Sequence, residues 1–174
     1  GFCFVNNIAV AARYLQNKYK VNKIAIIDFD VHHGNGTQEI FYNDETVAYG
    51  SSHEYPLFPG TGSEQEKGVG NIFNATLKSG VKGKEFLKIF EQKILRPIDK
   101  FKPEVILISA GFDAHIRDPL ANIKLESGDF YDITKSIVDL AKVHSKGRVI
   151  SFLEGGYDLK ALSESIKKHL KALI

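Results

Sequence analysis

The sequence of 174 residues contains no methionine, no tryptophan and a single cysteine, Cys3. One cysteine excludes an internal disulfide framework and a cysteine-rich zinc site, so a reducing compartment, the cytoplasm or a eukaryotic nucleus, is expected. No apolar run approaches the roughly 20 residues that a membrane-spanning helix needs, which predicts no association with a membrane. Because an initiator methionine is also missing, we expect a chain that has lost a terminus or is part of a longer protein.

An excess of charge of one sign is missing as well. Lys plus Arg number 23 against 21 Asp plus Glu, a net charge of +2 that is too small for a dedicated nucleic-acid binder. The basic clusters at 82–102 and 160–171 are interpreted as solvated faces of helices. Prolines number only 5 and hydrophobic residues make up 43%, the balance of one ordered domain.

Short runs rich in Val and Ile alternate with segments of helical period, the pattern of parallel βαβ units and of the α/β class. The runs predict buried strands over 23–27, 46–50, 71–77, 105–109 and 148–153. Four apolar stripes predict helices that pack on a sheet: Val5, Ile8, Ala12 and Leu15; Leu87, Phe90, Ile94 and Ile98; Phe130, Ile133, Ile137 and Leu140; Leu159, Leu162, Ile166 and Leu170. Glycines and prolines concentrate in 53–70, which predicts a long connection that is either functional or disordered.

Polar side chains follow three of the predicted strands, where sites form in open parallel sheets. The first strand is followed by Asp28-Phe29-Asp30-Val31-His32-His33, and extended chain would point Asp28, Asp30 and His32 to one side. Asp113 follows the strand at 105–109. The last strand leads into Glu154-Gly155-Gly156-Tyr157, whose glycines would allow the phenol to face the same crevice.

An Asp and a His two residues apart, together with a distant Asp, form a ligand set suited to a divalent transition metal. Three protein ligands leave a position open for metal-assisted amide hydrolysis, in which Tyr157 would donate a hydrogen bond to the oxyanion. Two plainer interpretations stay open from the residues alone: structural histidines, or a nucleotide-binding domain. The latter is weakly supported, because Glu39 occupies the third glycine position after Gly34-Asn35-Gly36.

Five motifs together closely resemble the histone deacetylase and acetylpolyamine amidohydrolase family, in order and spacing along the whole chain. They are Gly1-Phe2-Cys3-Phe4-Val5-Asn6-Asn7, 28–36, Phe58-Pro59-Gly60-Thr61-Gly62, Gly111-Phe112-Asp113 and Glu154-Gly155-Gly156-Tyr157. The resemblance implies an arginase-like three-layer α/β sandwich, with a mostly parallel sheet covered by helices on both faces. It implies a zinc ion, with Fe2+ as the possible substitute, and an acetylated lysine or polyamine as substrate.

The resemblance also assigns individual positions. The zinc ligands are Asp30, His32 and Asp113, and Tyr157 is the catalytic tyrosine. The substrate tunnel takes Gly1, Phe2, Phe58 and Leu120. The positions that orient active-site histidines or hold a structural potassium ion are Asp28, Asn35 and Ser51, and His33 is left as structural. Asn35 and Glu154 match the class II or bacterial-like branch.

One departure from the family pattern concerns the paired histidines that act as general base and electrostatic partner. In the family they precede the Gly-Phe-Cys motif, at which this chain begins, and His53, His115, His144 and His169 are isolated and do not replace them. We therefore expect residues 1–174 to be one partial deacetylase catalytic domain whose first strands and partner are the upstream part of the same domain. The alternative function is a catalytically dead, deacetylase-like interaction module.

A further difference concerns substrate choice. In the polyamine-selective vertebrate member of the family, a Glu seven residues after the ligand Asp attracts a cationic substrate, whereas Leu120 stands at that offset here. Leucine cannot pair with a secondary ammonium. The sequence therefore favours acetyl-lysine over acetylpolyamine.

Overall fold

The computed structural model describes residues 3–174, so the tunnel positions Gly1 and Phe2 lie outside the described residues. Five strands are present: β1 Ile24–Asp28, β2 Val47–Glu54, β3 Ile72–Leu77, β4 Val105–Ala110 and β5 Val149–Leu153. The helices are α1 Asn7–Tyr19, α2 Asn35–Phe41, α3 Gly83–Phe90, α4 Arg96–Phe101, α5 Ser127–His144 and α6 Leu159–Leu173, and a π-helical turn over Glu91–Leu95 joins α3 to α4. Among residues 3–174, every helix is too short or too polar to cross a membrane.

The five strands form one sheet in the order β3-β2-β1-β4-β5, and all neighbouring pairs are parallel. The central strand β1 aligns Ile24 with Val47 on one side and with Val105 on the other. Because every strand runs in the same direction, all carboxyl ends lie at one edge of the sheet, where the polar motifs follow. The predicted α/β class with a parallel sheet is confirmed.

Helices cover both faces of the sheet because the side chains of β1 alternate between two apolar cores. Ile24 and Ile26 belong to the core that contains residues of α1 and Phe41 of α2. Ala25 and Ile27 belong to the larger core, built with α3, the π-helical turn, α4 and α5, against which α6 also packs. This arrangement is the predicted three-layer sandwich.

Three helices differ from what the sequence pattern predicts. Val5 precedes α1 and is exposed, because Asn6 caps the helix by accepting a hydrogen bond from the Ala9 N–H at 3.0 Å. On α6 the predicted apolar stripe is only partly buried. The fully buried residues of this helix are instead small or polar: Ala161, Ser165, His169 and Ala172. Helix α2 was missed, since glycines at its start gave no helical signal.

The second strand runs four residues further than its apolar run, to Glu54, so the long connection begins at Tyr55 rather than at His53. The added residues are polar, but all are buried, and they pair in parallel with 74–77 of β3. The Glu54 carboxylate accepts hydrogen bonds from the Asn122 backbone and side chain at 2.8 and 2.9 Å. Partners supplied by distant segments allow a polar stretch to remain inside the sheet.

The strand β5 lies at the edge of the described sheet and differs from the prediction of a buried strand. All five of its residues are half-buried or exposed, with Ile150 and Leu153 exposed at 42% and 61%. It pairs with β4 from Val149 to Leu153, and it ends next to the Glu154-Gly155-Gly156-Tyr157 motif.

Candidate metal centre and active site

The side chains of Asp30, His32 and Asp113 meet at the carboxyl ends of β1 and β4. Their ligand atoms all lie within 4.8 Å of one another. His32 Nδ1 is 3.1 Å from Asp30 Oδ1 and 2.9 Å from Asp113 Oδ2. The Asp113 side chain is fully buried, while those of Asp30 and His32 are 14% and 20% exposed. One side of the cluster is therefore open.

Backbone N–H groups fix the orientation of both carboxylates. Asp113 Oδ1 accepts a hydrogen bond from the Val31 N–H at 2.8 Å, which ties the end of β4 to the end of β1. Asp30 Oδ1 accepts from the His32 N–H at 2.8 Å, and Asp30 Oδ2 accepts from the Gly155 N–H at 2.8 Å. The ends of β1, β4 and β5 thus meet at the carboxylates of Asp30 and Asp113.

The electrostatics of the cluster favour a positive charge at its centre. The pKa of His32 is raised to about 10, because Asp113 and Asp30 accept hydrogen bonds from its ring. Burial, with the negative charge of Asp30, raises the pKa of Asp113 to about 7. Burial acts on Asp30 too, but hydrogen bonds from His32 and Gly155 outweigh it and lower the pKa of that carboxyl. Two carboxylates around one imidazole form a donor set that suits a divalent cation.

Two glycines allow the backbone to approach these carboxylates closely. A Cβ atom at Gly155 would lie 2.2 Å from Asp113 Oδ2 and 2.7 Å from Asp30 Oδ2. A Cβ atom at Gly111 would lie 2.3 Å from Asp30 Oδ2. These separations are shorter than van der Waals contact, so the site needs glycine at both positions for space. From the sequence, the glycines before Tyr157 were expected only to add flexibility.

Tyr157 follows Gly155 and Gly156 and begins the connection to α6. Burial, with the negative charges of Asp113 and Asp30, raises the pKa of the phenol to about 12, so it keeps its proton at neutral pH. The side chain is 38% exposed. Tyr157 can therefore act as a hydrogen-bond donor next to the cluster.

Asp28 is not one of the three clustered residues, contrary to the expected alignment with Asp30 and His32. Its Oδ1 accepts a hydrogen bond from the Asp30 N–H at 3.1 Å, and its Oδ2 accepts from the Tyr49 hydroxyl at 2.8 Å. These bonds curl the chain after β1, so the alternation of extended chain ends at Asp28. Burial and the charge of Asp30 raise the pKa of Asp28 well above its ordinary value.

The other two positions assigned with Asp28 differ in their surroundings. Ser51 is the register partner of Asp28 on β2, is fully buried, and its hydroxyl lies 2.9 Å from His53 Nδ1. Asn35 is the first residue of α2 and is exposed.

His33 and His53 form a buried pair, with ring centroids 4.7 Å apart, so His53 is not isolated as the sequence suggested. The ring nitrogens of His33 bond to Thr61 Oγ1 and Gln38 Oε1 at 2.7 and 3.0 Å. His53 Nε2 donates to the Gly62 carbonyl at 2.8 Å. Burial, with the neighbouring His33, lowers the pKa of His53 to about 4. The pair fastens the long loop to the sheet.

The two described tunnel positions lie on loops at the same edge of the sheet. Phe58, in the loop after β2, is 75% exposed, and Leu120, in the loop after β4, is 50% exposed. Leu57, next to Phe58, packs against the larger core and anchors that loop. Two large apolar side chains are thus left exposed on loops at the edge of the sheet where the polar cluster lies.

Sequence reasoning missed Asp118, which is 8% exposed and lies between Asp113 and Leu120. Its carboxylate bonds to the backbone of both Leu120 and Tyr157. The Asp118-Pro119 pair was a signal for a turn, but its partner Tyr157 is 39 residues away and could not be inferred from local pattern.

The family model of the histone deacetylase domain matches residues 1–173. The chain is similar to histone deacetylase 14, chloroplastic, of Arabidopsis thaliana, with 42% identity over all of this chain and 42% of that protein. It is 40% identical to a probable deacetylase of Archaeoglobus fulgidus, over 92% of this chain and 45% of the relative.

A crystal structure of the HDA15 HD domain superimposes on 99% of this chain with a TM-score of 0.92 and 37% identity, and the matched part is 49% of that domain's chain. The chain thus spans less than half the length of these three proteins. Agreement in sequence and in fold over its whole length shows that the chain belongs to the histone deacetylase family.

Proposed function

We propose that the protein containing this chain is a zinc-dependent deacetylase that hydrolyses an acetyl-amide to acetate and a free amine. The observation that carries the proposal is the cluster of Asp30, His32 and Asp113, held beside Tyr157 at one edge of the sheet. The family to which the chain belongs is a hydrolase family and is generally zinc-dependent. Since the chain covers less than half of the Arabidopsis and Archaeoglobus relatives, the activity is proposed for the whole protein.

We assign Asp30, His32 and Asp113 as the metal ligands. The donor set fits a divalent cation because it offers two carboxylates and one imidazole, already crowded around a position that favours positive charge. Zinc bound there would supply polarisation of the acetyl carbonyl and a lowered pKa for water. The same ligands suit Fe2+, so metal supply would decide between the two.

The chain's own residues would position the substrate and stabilise charge. Tyr157 would donate its hydroxyl hydrogen to the oxygen of the acetyl carbonyl as negative charge develops on it. Phe58 and Leu120, with Phe2 and Gly1, would surround the aliphatic stem of the substrate and keep water from it.

The general base is proposed to lie in the upstream part of the same domain. His33, His53, His115 and His169 are buried, and both ring nitrogens of each are bonded to protein groups, which favours structural roles for all four. His144 bonds to Asp99, on α4. This supports the expected His-His pair upstream and residues 1–174 as a partial domain.

Two finer assignments stay proposals. Asp28 and Ser51 would contribute oxygen ligands to a structural potassium ion, which agrees with their adjacent positions on β1 and β2. Asp28 and Asn35 would orient the upstream histidines.

The cytoplasm, or a eukaryotic nucleus, remains the predicted location, although the Arabidopsis relative is named chloroplastic.

Replacing Tyr157 with phenylalanine in the full-length protein should lower kcat for acetate release about 100- to 1000-fold, because one oxyanion donor is lost. Acetate would be measured enzymatically with an acetyl-lysine peptide. The control is Tyr14→Phe, which deletes the hydroxyl of an exposed tyrosine on α1. Undiminished turnover by Tyr157→Phe would refute the role of Tyr157. A wild-type protein that binds zinc but releases no acetate would support the dead interaction module instead.

Acetyl-lysine peptide should be hydrolysed in preference to N-acetylputrescine when the two compete for the wild-type protein. The reason is that Leu120, unlike a carboxylate at that position, offers no partner for a secondary ammonium. Leu120→Glu should shift the ratio of kcat/KM towards the polyamine, and Leu120→Gln controls for size and polarity without charge. A wild-type preference for the polyamine would overturn this assignment.

A further inference from the structure

Asp118 connects two loops that the proposed site uses separately. It is buried, and its Oδ1 accepts a hydrogen bond from the Leu120 N–H at 2.9 Å. Its Oδ2 accepts from the Tyr157 N–H at 2.8 Å. The bond to Leu120 spans two residues and is an ordinary side-chain turn. The bond to Tyr157 spans 39 residues and has no such local explanation.

The backbone on either side of Tyr157 shows why this second bond matters. On the amino-terminal side, Gly155 is held from both directions: its N–H donates to Asp30, and its carbonyl accepts from the Phe112 N–H at 2.7 Å. On the carboxyl-terminal side, Asp158 caps α6 by accepting from the Ala161 N–H. Tyr157 lies between these two fixed points.

The residue that joins Gly155 to Tyr157 is Gly156, whose φ of +142° lies in the region that favours glycine. Glycine restricts its own dihedral angles less than any other residue, so the chain can rotate before it reaches Tyr157. A hydrogen bond at the Tyr157 N–H opposes that rotation where the side chain leaves the backbone. A buried carboxylate suits this role because charge-assisted hydrogen bonds are shorter and stronger than neutral ones.

We propose that Asp118 is a positioning residue, which holds Tyr157 at the orientation needed for the reaction and fixes the Leu120 loop relative to it. The inference rests on the proposed function, in which Tyr157 donates to the acetyl oxygen. Asp118 itself lies outside the metal cluster and reaches the substrate only through the two residues that it holds.

The test is a double-mutant cycle in the full-length protein with Asp118→Asn and Tyr157→Phe. Asparagine keeps the shape of the side chain but replaces one of the two carboxylate oxygens with an NH2 group. That group is a donor, so it cannot accept a hydrogen bond from the backbone N–H that it faces. Because small misplacements of reacting groups cost up to about 100-fold, we expect Asp118→Asn to lower kcat roughly 10- to 100-fold. In the Tyr157→Phe background the same change should have little further effect on kcat, since the group that it positions is already gone.

Two readouts separate positioning from a general structural role. Hydrogen exchange of the Tyr157 amide should accelerate in Asp118→Asn, while the zinc content stays the same. The control is Asp44→Asn, which alters another aspartate that accepts from a backbone N–H two residues away but lies far from the site. This control should leave kcat unchanged.

The outcomes are decisive in either direction. Unchanged kcat in Asp118→Asn, or an equal loss in both backgrounds, would overturn the inference while wild-type turnover keeps the proposed function. If Asp118→Asn does not fold, replacing the Tyr157 backbone amide by an ester deletes the single N–H and keeps every side chain. An ester variant with wild-type kcat would also overturn it. Absence of acetate release by the wild type would refute the proposed function, and the exchange of the Tyr157 amide would still test the contact.

Discussion

Replacing Asp30 with alanine in the full-length protein should abolish stoichiometric zinc binding and, with it, deacetylase turnover. Asp30 supplies one of the two carboxylates of the cluster, and its oxygens also accept hydrogen bonds from the His32 and Gly155 N–H groups. Without it, one imidazole and one carboxylate remain, too few for a site that needs three protein ligands. Zinc would be measured by elemental analysis after exhaustive dialysis against buffer without metal.

Thermal unfolding provides a second measure of the same prediction. A ligand that binds only the folded state at 100 times its Kd stabilises that state by about 2.7 kcal/mol. We expect added zinc to raise the Tm of the wild type and to leave that of Asp30→Ala unchanged. Burial and the charge of Asp30 raise the pKa of Asp113, so removal of Asp30 relieves that repulsion, but it also deletes the hydrogen bonds from His32 and Gly155. The Tm of the metal-free variant is therefore measured first, and zinc contents are compared at a temperature at which both proteins are folded.

Two controls complete this experiment. Asp30→Asn keeps a side chain of similar shape and at least one acceptor for the neighbouring N–H groups, and should also bind no zinc. Asp139→Ala removes an exposed carboxylate on α5 and should bind zinc normally. Equal zinc content in Asp30→Ala and the wild type would show that the metal site has been assigned wrongly.

The sequence predicted the framework of the fold well because buried parallel strands and amphipathic helices have strong periodic signals. It underestimated β2, where Ser51, Ser52, His53 and Glu54 are polar and yet buried. Local pattern cannot reveal the partners that compensate this burial, since they come from Gly62 and Asn122, 9 and 68 residues away. Helix α2 was missed for a different reason, because its start at Gly34-Asn35-Gly36 resembles a loop.

The candidate site likewise contains features that the sequence could predict and features that it could not. Strand ends in a parallel sheet meet at one edge, so the approach of Asp30, His32 and Asp113 follows from the topology, although their role as ligands stays a prediction. The displacement of Asp28 could not be predicted, because it depends on the Tyr49 hydroxyl and on a turn after β1. The link from Asp118 to Tyr157 likewise requires knowledge of how α6 returns to the sheet.

Expressed alone, the 174-residue chain should release no acetate and should self-associate. Acetate release should be absent because the histidines of the described part are engaged in protein contacts, so a general base has to come from elsewhere in the protein. Self-association is expected because β5 lies at the edge of the sheet with Ile150 and Leu153 exposed. An unpaired strand with apolar side chains is a template for association with another chain.

The measurement combines size-exclusion chromatography with light scattering and an acetate assay, on the chain alone and on the full-length protein. Co-expression of the upstream segment should restore solubility and turnover together, because it would cover β5 and supply the missing base. Chelation of zinc should remove the turnover but not the solubility. A monomeric chain that unfolds cooperatively and turns over acetyl-lysine peptide alone would show that the base lies among the histidines to which we assign structural roles.

A substitution at the edge distinguishes strand pairing from nonspecific aggregation. Lysine on an edge strand discourages pairing, so Ile150→Lys should reduce self-association of the isolated chain. In the full-length protein the same lysine would be placed in the covered region beside β5, where an unpaired charge is costly, and it should lower the free energy of unfolding by more than about 2 kcal/mol. The control is Val143→Lys on α5, another exposed apolar site, 72% exposed against 42% for Ile150, that lies away from the edge. Because that residue is on the outer surface of a helix, this control should change neither property, and equal effects of the two lysines would exclude β5 as the site of pairing.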